Sequence, residues 1–344
     1  MTRETVAIHV GQCGNQMARP FWRNVVEEFA ASYRNRGKKS DTKSYPTYDD
    51  SMATMLRNVD GRSQMDMPIG TPLLHLRARA VLIDMEPGVV DETLRTPLSS
   101  LFSQDCTFTD SSGAGNNFAH GFMYYGSKHE EAIYDIIRKQ VEHCDNPAKF
   151  LLFHSCGGGT GSGVGCKTLS ILQDNFSNIA RHAVTILPST SREKYSDDVI
   201  VSPYNAVLSL SELCIHANAI FPMSNKQLAA QSANFSLSNH KSSTTWIRKE
   251  SKGLKDKASA RDGFLDLNTI ASRALLDTTA GERFPKGKEN DIISALTRSD
   301  KRFLTIGYRF TANRDFLPKQ KVTAVSRLKF LIEFFFSELL NIFI

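Results

Sequence analysis

The decapeptide His154-Ser155-Cys156-Gly157-Gly158-Gly159-Thr160-Gly161-Ser162-Gly163 constrains the fold of this 344-residue chain more than any other stretch. The apolar run Phe150-Leu151-Leu152-Phe153 predicts a strand before it, and the pattern of residues 164–176 predicts a helix after it. Five glycines in seven residues leave backbone N–H groups bare, and the helix adds its positive N-terminal end. Strand, glycine loop and helix in this order predict a phosphate-binding loop.

Two common phosphate loops do not match this stretch. The dinucleotide pattern G-x-G-x-x-G fits no register of the glycines, and the P-loop pattern from Gly161 to Thr168 has Cys166 where a glycine is required. Lys167 would also lie inside the helix. The alternative interpretation is a glycine-rich turn that only joins a strand to a helix, but so many glycines favour a phosphate loop.

Composition limits the classes of function. With 41% hydrophobic and 23% charged residues, the chain can form two domains or one large one. The net charge of +6 is mild and comes partly from one basic stretch, so nucleic-acid binding is not predicted. Six scattered cysteines, without a C-x-x-C pair or metal spacing, suit a reducing cytosol. Charges from Arg3 onward argue against a signal peptide, and no run of about 18 apolar residues predicts a membrane span.

Two further turns have the composition of ligand-binding loops. Thr5–Val10 alternates like a strand and ends in Gly11-Gln12-Cys13-Gly14-Asn15-Gln16. A second glycine loop, Gly113-Ala114-Gly115-Asn116-Asn117, stands before a helical pattern. Ligands in open α/β sheets bind at the carboxyl ends of the strands, so both turns predict contacts to the same ligand.

Two carboxylates stand at another strand end. The predicted strand Ala78–Ile83 delivers Asp84 and Glu86. A divalent cation on a triphosphate needs such oxygen ligands. Either carboxylate could instead cap the next helix.

The remaining patterns alternate between strand and helix. Helices are predicted over 130–141, from Pro203 and over 264–278, and a strand over 183–187; residues 219–221 form a short apolar run before Asn225. This alternation predicts an α/β fold, a parallel sheet with helices on both faces and a nucleotide at the strand carboxyl ends. The basic stretch 236–262 is better explained as a solvated loop than as an anion-binding patch.

Several of these motifs resemble those of tubulins. The decapeptide is similar to the signature loop of that family, and Gly11–Gln16, Gly113–Asn117 and Ser202-Pro203-Tyr204-Asn205 match other family segments. Finer details resemble the epsilon class, and the resemblance covers residue 1 to about residue 284. The segments that carry the epsilon likeness are Leu56–Asp60, Ala78–Glu86 and Asp197-Asp198-Val199-Ile200.

The resemblance implies a GTP-binding cytoskeletal protein of centrioles and basal bodies, located in the cytoplasm and at microtubule-organising centres. It implies GTP and Mg²⁺ as cofactors, other tubulins arranged head to tail and centriole or basal-body components as partners, and no nucleic-acid or membrane partner. The implied organisation is a tubulin/FtsZ-type GTPase domain over 1–262, with an insertion at 32–77 and a basic loop at 236–262. A core helix and partial intermediate domain over 263–316 and a divergent apolar tail over 317–344 follow.

The resemblance also implies roles for individual residues. Asn225 and Asn268 would read guanine, Phe264 would stack on the base, and Asp198 would serve the ribose. Glu86 would serve the magnesium, with Asp84 close by. The remaining implied nucleotide-binding residues are Gly11, Gln12, Cys13, Gln16, Ala114, Gly115, Asn116, Ser155, Gly158, Gly159, Thr160 and Gly161.

Some positions depart from the family pattern. Ser202 stands where many tubulins have a glutamate, and Ser294 stands where family members carry a glutamate that completes the next subunit's active site, with Glu289 and Asp291 nearby. We therefore assign no catalytic residue and expect GTP hydrolysis only on assembly. Two alternatives stay open: a non-assembling GTP-binding tubulin fragment, and a soluble nucleotide enzyme, which would need a catalytic group at the strand ends.

Overall fold

The computed structural model describes residues 2–37, 46–189, 199–229, 231, 261–284, 303–308 and 320–325. The strands are β1 (Glu4–Val10), β2 (Leu56–Val59), β3 (His75–Ala78), β4 (Ala80–Asp84), β5 (Thr107–Thr109), β6 (Pro147–Ser155), β7 (Ala180–Leu187), β8 (Ala219–Ser224), β9 (Phe303–Tyr308) and β10 (Gln320–Val325). The α-helices are α1 (Gly11–Gly37), α2 (Asp50–Ala53), α3 (Pro87–Leu94), α4 (Gly126–Lys128), α5 (Glu130–Glu142), α6 (Gly165–Asn175), α7 (Ser202–His216), α8 (Arg261–Thr278) and α9 (Ala280–Arg283). Two π-helical segments, His120–Tyr125 and Thr160–Val164, precede α4 and α6.

One large sheet carries the fold. Its strand order is β10-β9-β8-β7-β6-β1-β4-β5, and all neighbouring strands are parallel except β10, which pairs antiparallel with β9. The predicted parallel sheet is therefore confirmed. Strands β9 and β10 belong to this same sheet, so it extends past residue 262 into the segments that the resemblance assigns to later domains.

Helices cover both faces of the sheet, as predicted. Alternate residues of β1 point to opposite faces: Val6 and Ile8 join a cluster with α5, α6 and α7, whereas Ala7 joins a cluster with α1 and α8. Both faces are buried, which explains why these strands read as nearly continuous apolar runs. No helix in the described part of the chain is long and apolar enough to cross a membrane.

The chain between α1 and β4 contains more regular structure than the sequence predicts. Within the predicted polar insertion, β2 pairs antiparallel with β3, and Tyr48, Met52 and Leu56 are buried in the core. The predicted strand Ala78–Ile83 is divided at Arg79, where the chain leaves the two-stranded sheet and enters the large one. Arg79 is buried, and its side chain makes an ion pair with Glu4 at 2.8 Å. The ion pair joins residues that are distant in the sequence, so local sequence patterns do not predict it.

Helix α1 contacts α9 and the following residue through its C-terminal half. The buried Arg283 donates to both carboxylate oxygens of Glu28 at 3.0 and 3.1 Å, and Phe29 packs against Phe284 with ring centroids 5.5 Å apart. This half of α1 lies away from Gly11, where the helix begins. These contacts therefore join α1 to α9 without occupying the carboxyl ends of the strands.

Candidate functional site

The Gly11 turn and the decapeptide meet at the carboxyl edge of the sheet because β1 and β6 are parallel neighbours. Gly11 has a positive φ of 72°, and a Cβ there would lie 2.7 Å from the amide nitrogen of Gly161. Only glycine combines this backbone conformation with so close an approach. Both segments are predicted parts of the site, and they are in contact in the structure.

Two buried histidines hold these turns onto their strands. Trp22 Nε1 donates to His9 Nε2 at 3.2 Å, so His9 carries its proton on Nδ1 and donates to the carbonyl of Gly14 at 3.1 Å. His154 Nδ1 lies 3.0 Å from the carbonyl of Gly161, and its Nε2 lies 2.8 Å from the Thr185 hydroxyl. Burial lowers the pKa of His9 to about 3 and that of His154 to about 4, so both rings are neutral supports.

The second glycine loop packs against the first. A Cβ on Gly159 would lie 2.7 Å from the amide nitrogen of Asn117 and 2.9 Å from the Cβ of Ala114. Gly115 and Asn116 both adopt positive φ values, 58° and 53°. Two consecutive left-handed residues turn the loop sharply, and asparagine is one of the few residues other than glycine that tolerates this region.

Asn205 connects the two glycine loops through its side chain. Its Oδ1 accepts from the amide of Phe118 at 3.0 Å, and its Nδ2 donates to the carbonyls of Asn116 and Gly157, both at 2.8 Å. Ser202 Oγ also donates to Gly157, at 3.1 Å. No role is predicted for Asn205 from the sequence, and its place in the segment 202–205 is the one signal there that points to it.

The loop after β6 presents backbone donors suited to an anion. Among the described residues, the amides of Gly158 and Gly159 have no hydrogen-bond acceptor, whereas the amide of Gly157 donates to Ser155 Oγ at 3.2 Å. The first amides of α1 lack intrahelical acceptors because the helix begins at Gly11. Asn15, also missed from the sequence, braces this turn by donating to the carbonyls of Gly11 and Ile83 at 3.0 and 2.9 Å. The donor set fits a phosphate group.

Two carboxylates stand beside these loops. Asp84 is buried and accepts from the amide of Met85 at 2.8 Å, and burial, with Glu86 also contributing, raises the pKa of Asp84 to about 7. Glu86 occupies the position before α3 without capping it through its side chain, and a Cβ on Gly113 would lie 2.1 Å from its Oε1. Among the described residues, no group of three His, Cys, Asp or Glu side chains could hold a metal ion. A magnesium ion on a polyphosphate needs only one or two protein carboxylates, so Asp84 and Glu86 fit this ion.

The other predicted residues occupy several places. Gln12 and Gln16 lie one turn apart on α1, with Gln12 exposed and both Cys13 and Gln16 half-buried. Asn225 directly follows β8 and is half-buried. On α8, which packs against α1, Phe264 is half-buried and Asn268 is buried. Predictions for Asp198, Glu289, Asp291 and Ser294 lie outside the described residues.

Fold and site together define an α/β protein that offers glycine-loop amides and carboxylates at the carboxyl edge of a parallel sheet. The sequence profile of the Tubulin/FtsZ family, GTPase domain, matches residues 4–233. The chain belongs to this family.

Three relatives define the likeness further. The chain is 37% identical over 299 residues to the tubulin epsilon chain of Homo sapiens, covering 84% of this chain and 59% of the relative. It is 41% identical over 228 residues to the tubulin epsilon chain of Mus musculus, covering 65% and 45%, respectively. It is 32% identical over 226 residues to the tubulin beta-1 chain of Homo sapiens, covering 66% and 46%. The chain therefore spans about half the length of the relatives it matches.

Proposed function

We propose that this chain binds GTP with Mg²⁺ at the carboxyl edge of its sheet. The observation that carries the proposal is the convergence of three separate turns, those after β1, β5 and β6, with two carboxylates beside them. The amides of Gly158 and Gly159 and the first turn of α1 would bind phosphate oxygens. When bound, Mg²⁺ neutralises charge on the phosphates, and Asp84 and Glu86 would hold it.

The residues that would select the base directly follow β8 or lie on α8. Asn225 and Asn268 would read the guanine edge, since an amide side chain offers both a donor and an acceptor. Phe264 would stack on the base, and Asp198 would bind the ribose. The half-buried positions of Asn225 and Phe264 and the buried position of Asn268 support this assignment.

The proposed cellular role is that of a cytoskeletal tubulin. We propose that the chain joins other tubulins head to tail in microtubule-based assemblies, at centrioles or basal bodies, in the cytoplasm and at microtubule-organising centres. Family membership supports association with other tubulins, and the similarity to two tubulin epsilon chains supports the centriolar assignment.

Competition with a fluorescent GTP analogue tests the nucleotide. GTP should displace the analogue far better than ATP, because a site built to hydrogen-bond its ligand rejects an analogue that leaves buried polar groups unpaired. Asn268→Ala should weaken GTP binding and reduce this preference. Asn175→Ala is the matched control, because among the described residues Asn175 Nδ2 donates only to a carbonyl of its own helix, Ile171, at 2.9 Å. Equal competition by ATP against the unaltered chain would refute the guanine assignment.

Co-sedimentation tests the cytoskeletal role. The purified chain, mixed with polymerising tubulin and GTP, should pellet with the polymer. A chain that binds GTP but stays in the supernatant at all tubulin concentrations would support the non-assembling alternative instead.

A further inference from the structure

We propose that Asn205 is a positioning residue that sets the separation of the two glycine loops, 113–117 and 155–161, and thereby favours polyphosphate chains over single phosphates. The inference rests on the proposed function, because it concerns how that site recognises its ligand. Asn205 would not touch the phosphates; it would act through the backbone of both loops.

The sheet itself does not fix the distance between these loops. Loop 113–117 follows β5 and loop 155–161 follows β6, and the strand order β6-β1-β4-β5 places two strands between them. The hydrogen bonds between neighbouring strands therefore do not join the two loops directly. A contact between the loops, or a side chain that bridges them, must set their separation.

Direct packing limits only how close the loops can come. The carbonyl oxygen and Cβ of Ala114 lie so near Gly159 that a Cβ on Gly159 would be 2.9 Å from each. Van der Waals contact of this kind resists further approach but gives little resistance to separation. Resistance to separation requires directional bonds.

Asn205 supplies those bonds. Its three hydrogen bonds, of 2.8 to 3.0 Å, reach Asn116 and Phe118 on one side and Gly157 on the other. The side chain is buried, with 4% of the residue exposed, so water does not readily replace a lost bond. It projects from the first turn of α7, where Pro203 restricts the backbone. One rigid helix therefore holds both loops.

The bond to Asn116 also fixes a left-handed turn. Asn116 adopts a left-handed conformation at φ 53°, directly after Gly115 at 58°. Asn205 Nδ2 holds the carbonyl of Asn116 in this conformation. Without this bond the turn loses a restraint, and the loop should become free to move relative to Gly158 and Gly159.

A ligand that touches both loops depends on their separation, whereas one that touches a single loop does not. The test uses the full chain carrying Asn205→Ala, which removes the three bonds and places no new charge near the phosphates. Displacement of a fluorescent GTP analogue is measured with GTP, inorganic triphosphate and GMP. Asn175→Ala is the control, because it removes a side-chain bond to a backbone carbonyl at the far end of α6.

Asn205→Ala should lower the affinity for GTP and for inorganic triphosphate about tenfold, whereas the affinity for GMP should change less than about twofold. Amide hydrogen exchange in 113–118 should rise, and Asn175→Ala should behave like the unaltered chain. Equal weakening of GMP and GTP, or no weakening of either, would overturn the positioning role.

Ser202→Ala provides a second test of the positioning role if Asn205→Ala does not fold. This substitution removes a second donor to the Gly157 carbonyl. It should therefore lower the affinity for inorganic triphosphate about threefold more than the affinity for GMP. A uniform effect on both ligands would contradict the inference. Failure of the unaltered chain to bind GTP would refute the proposed function, which is a different result from normal GTP binding by the Asn205 variant.

Discussion

Replacing Gly11 by alanine should destabilise the protein by about 2–4 kcal/mol, through two separable effects. The positive φ of 72° places any L-residue in the left-handed region, which costs about 1 kcal/mol. The added Cβ would also lie 2.7 Å from the amide nitrogen and 2.9 Å from the Cα of Gly161, where ordinary contact begins at 3.4 Å. Both atoms belong to a backbone that His154 holds at the Gly161 carbonyl, so relief requires movement of the loop. Overpacking of this kind typically costs about 1–3 kcal/mol.

Three further glycine-to-alanine variants separate the two effects. Gly115 has a φ of 58° and no atom within 4 Å of an added Cβ, so its variant measures conformational strain alone, about 1 kcal/mol. Gly14 has an ordinary φ, but its Cβ would lie 2.3 Å from the carbonyl oxygen of Phe153, so its variant measures the clash. Gly88, in the first turn of α3, has neither problem, and its variant should stabilise by up to about 1 kcal/mol.

Urea denaturation gives the free energy of unfolding for the four variants. The expected order of stability is Gly88→Ala, unaltered chain, Gly115→Ala and then Gly11→Ala. If Gly11→Ala cost no more than Gly115→Ala, the close approach of the Gly11 turn to Gly161 would be refuted. If Gly14→Ala were as stable as the unaltered chain, the described contact between α1 and β6 would be wrong.

The remaining predictions concern buried charge, titration and hydrolysis. Arg79→Met should lower the free energy of unfolding by about 3–5 kcal/mol, because it removes the charged partner of the buried Glu4 carboxylate and, in the described part of the chain, leaves only the amide of Asn146 on it. Arg95→Met, at an exposed ion pair, should cost under about 0.5 kcal/mol in the same denaturation assay, and equal costs for the two variants would refute the buried ion pair. Burial lowers the folded-state pKa of His154 to about 4, below the unfolded value of about 6.5. The unfolded chain therefore binds a proton first, and the free energy of unfolding falls as the pH drops from about 6.5 to about 4. Between about pH 7 and pH 5, the unaltered chain should therefore lose about 2 kcal/mol more than His154→Gln, and equal losses would show that His154 is not buried neutral. The purified chain should bind GTP but release phosphate very slowly, since the family resemblance implies that a neighbouring subunit supplies the group that positions the attacking water. Rapid phosphate release by the chain alone would refute this arrangement.

Local sequence patterns were sufficient for most of the elements. Helix α5 was predicted over 130–141 and observed over Glu130–Glu142, because its apolar side chains recur at helical spacing. The carboxylates and glycine turns could be placed at strand ends, because a buried apolar run followed by glycine or acidic residues has few other structural interpretations. The resemblance to tubulins was also readable from short motifs.

Contacts between residues far apart in the sequence were decided only by the tertiary structure. Asn205 reaches Asn116 across 89 residues, and Arg79 reaches Glu4 across 75. The local pattern identifies the distant partner at neither position, although Arg79 stands in a predicted strand and Asn205 in the segment 202–205. The division of the predicted strand at Arg79 and the burial of Tyr48 also depend on packing against other segments of the chain. The sequence by itself determined the longer strands and helices around the site and its glycine turns, because those depend on spacing and backbone freedom. The tertiary structure decided which polar side chains hold the turns together, because that depends on which strands become neighbours.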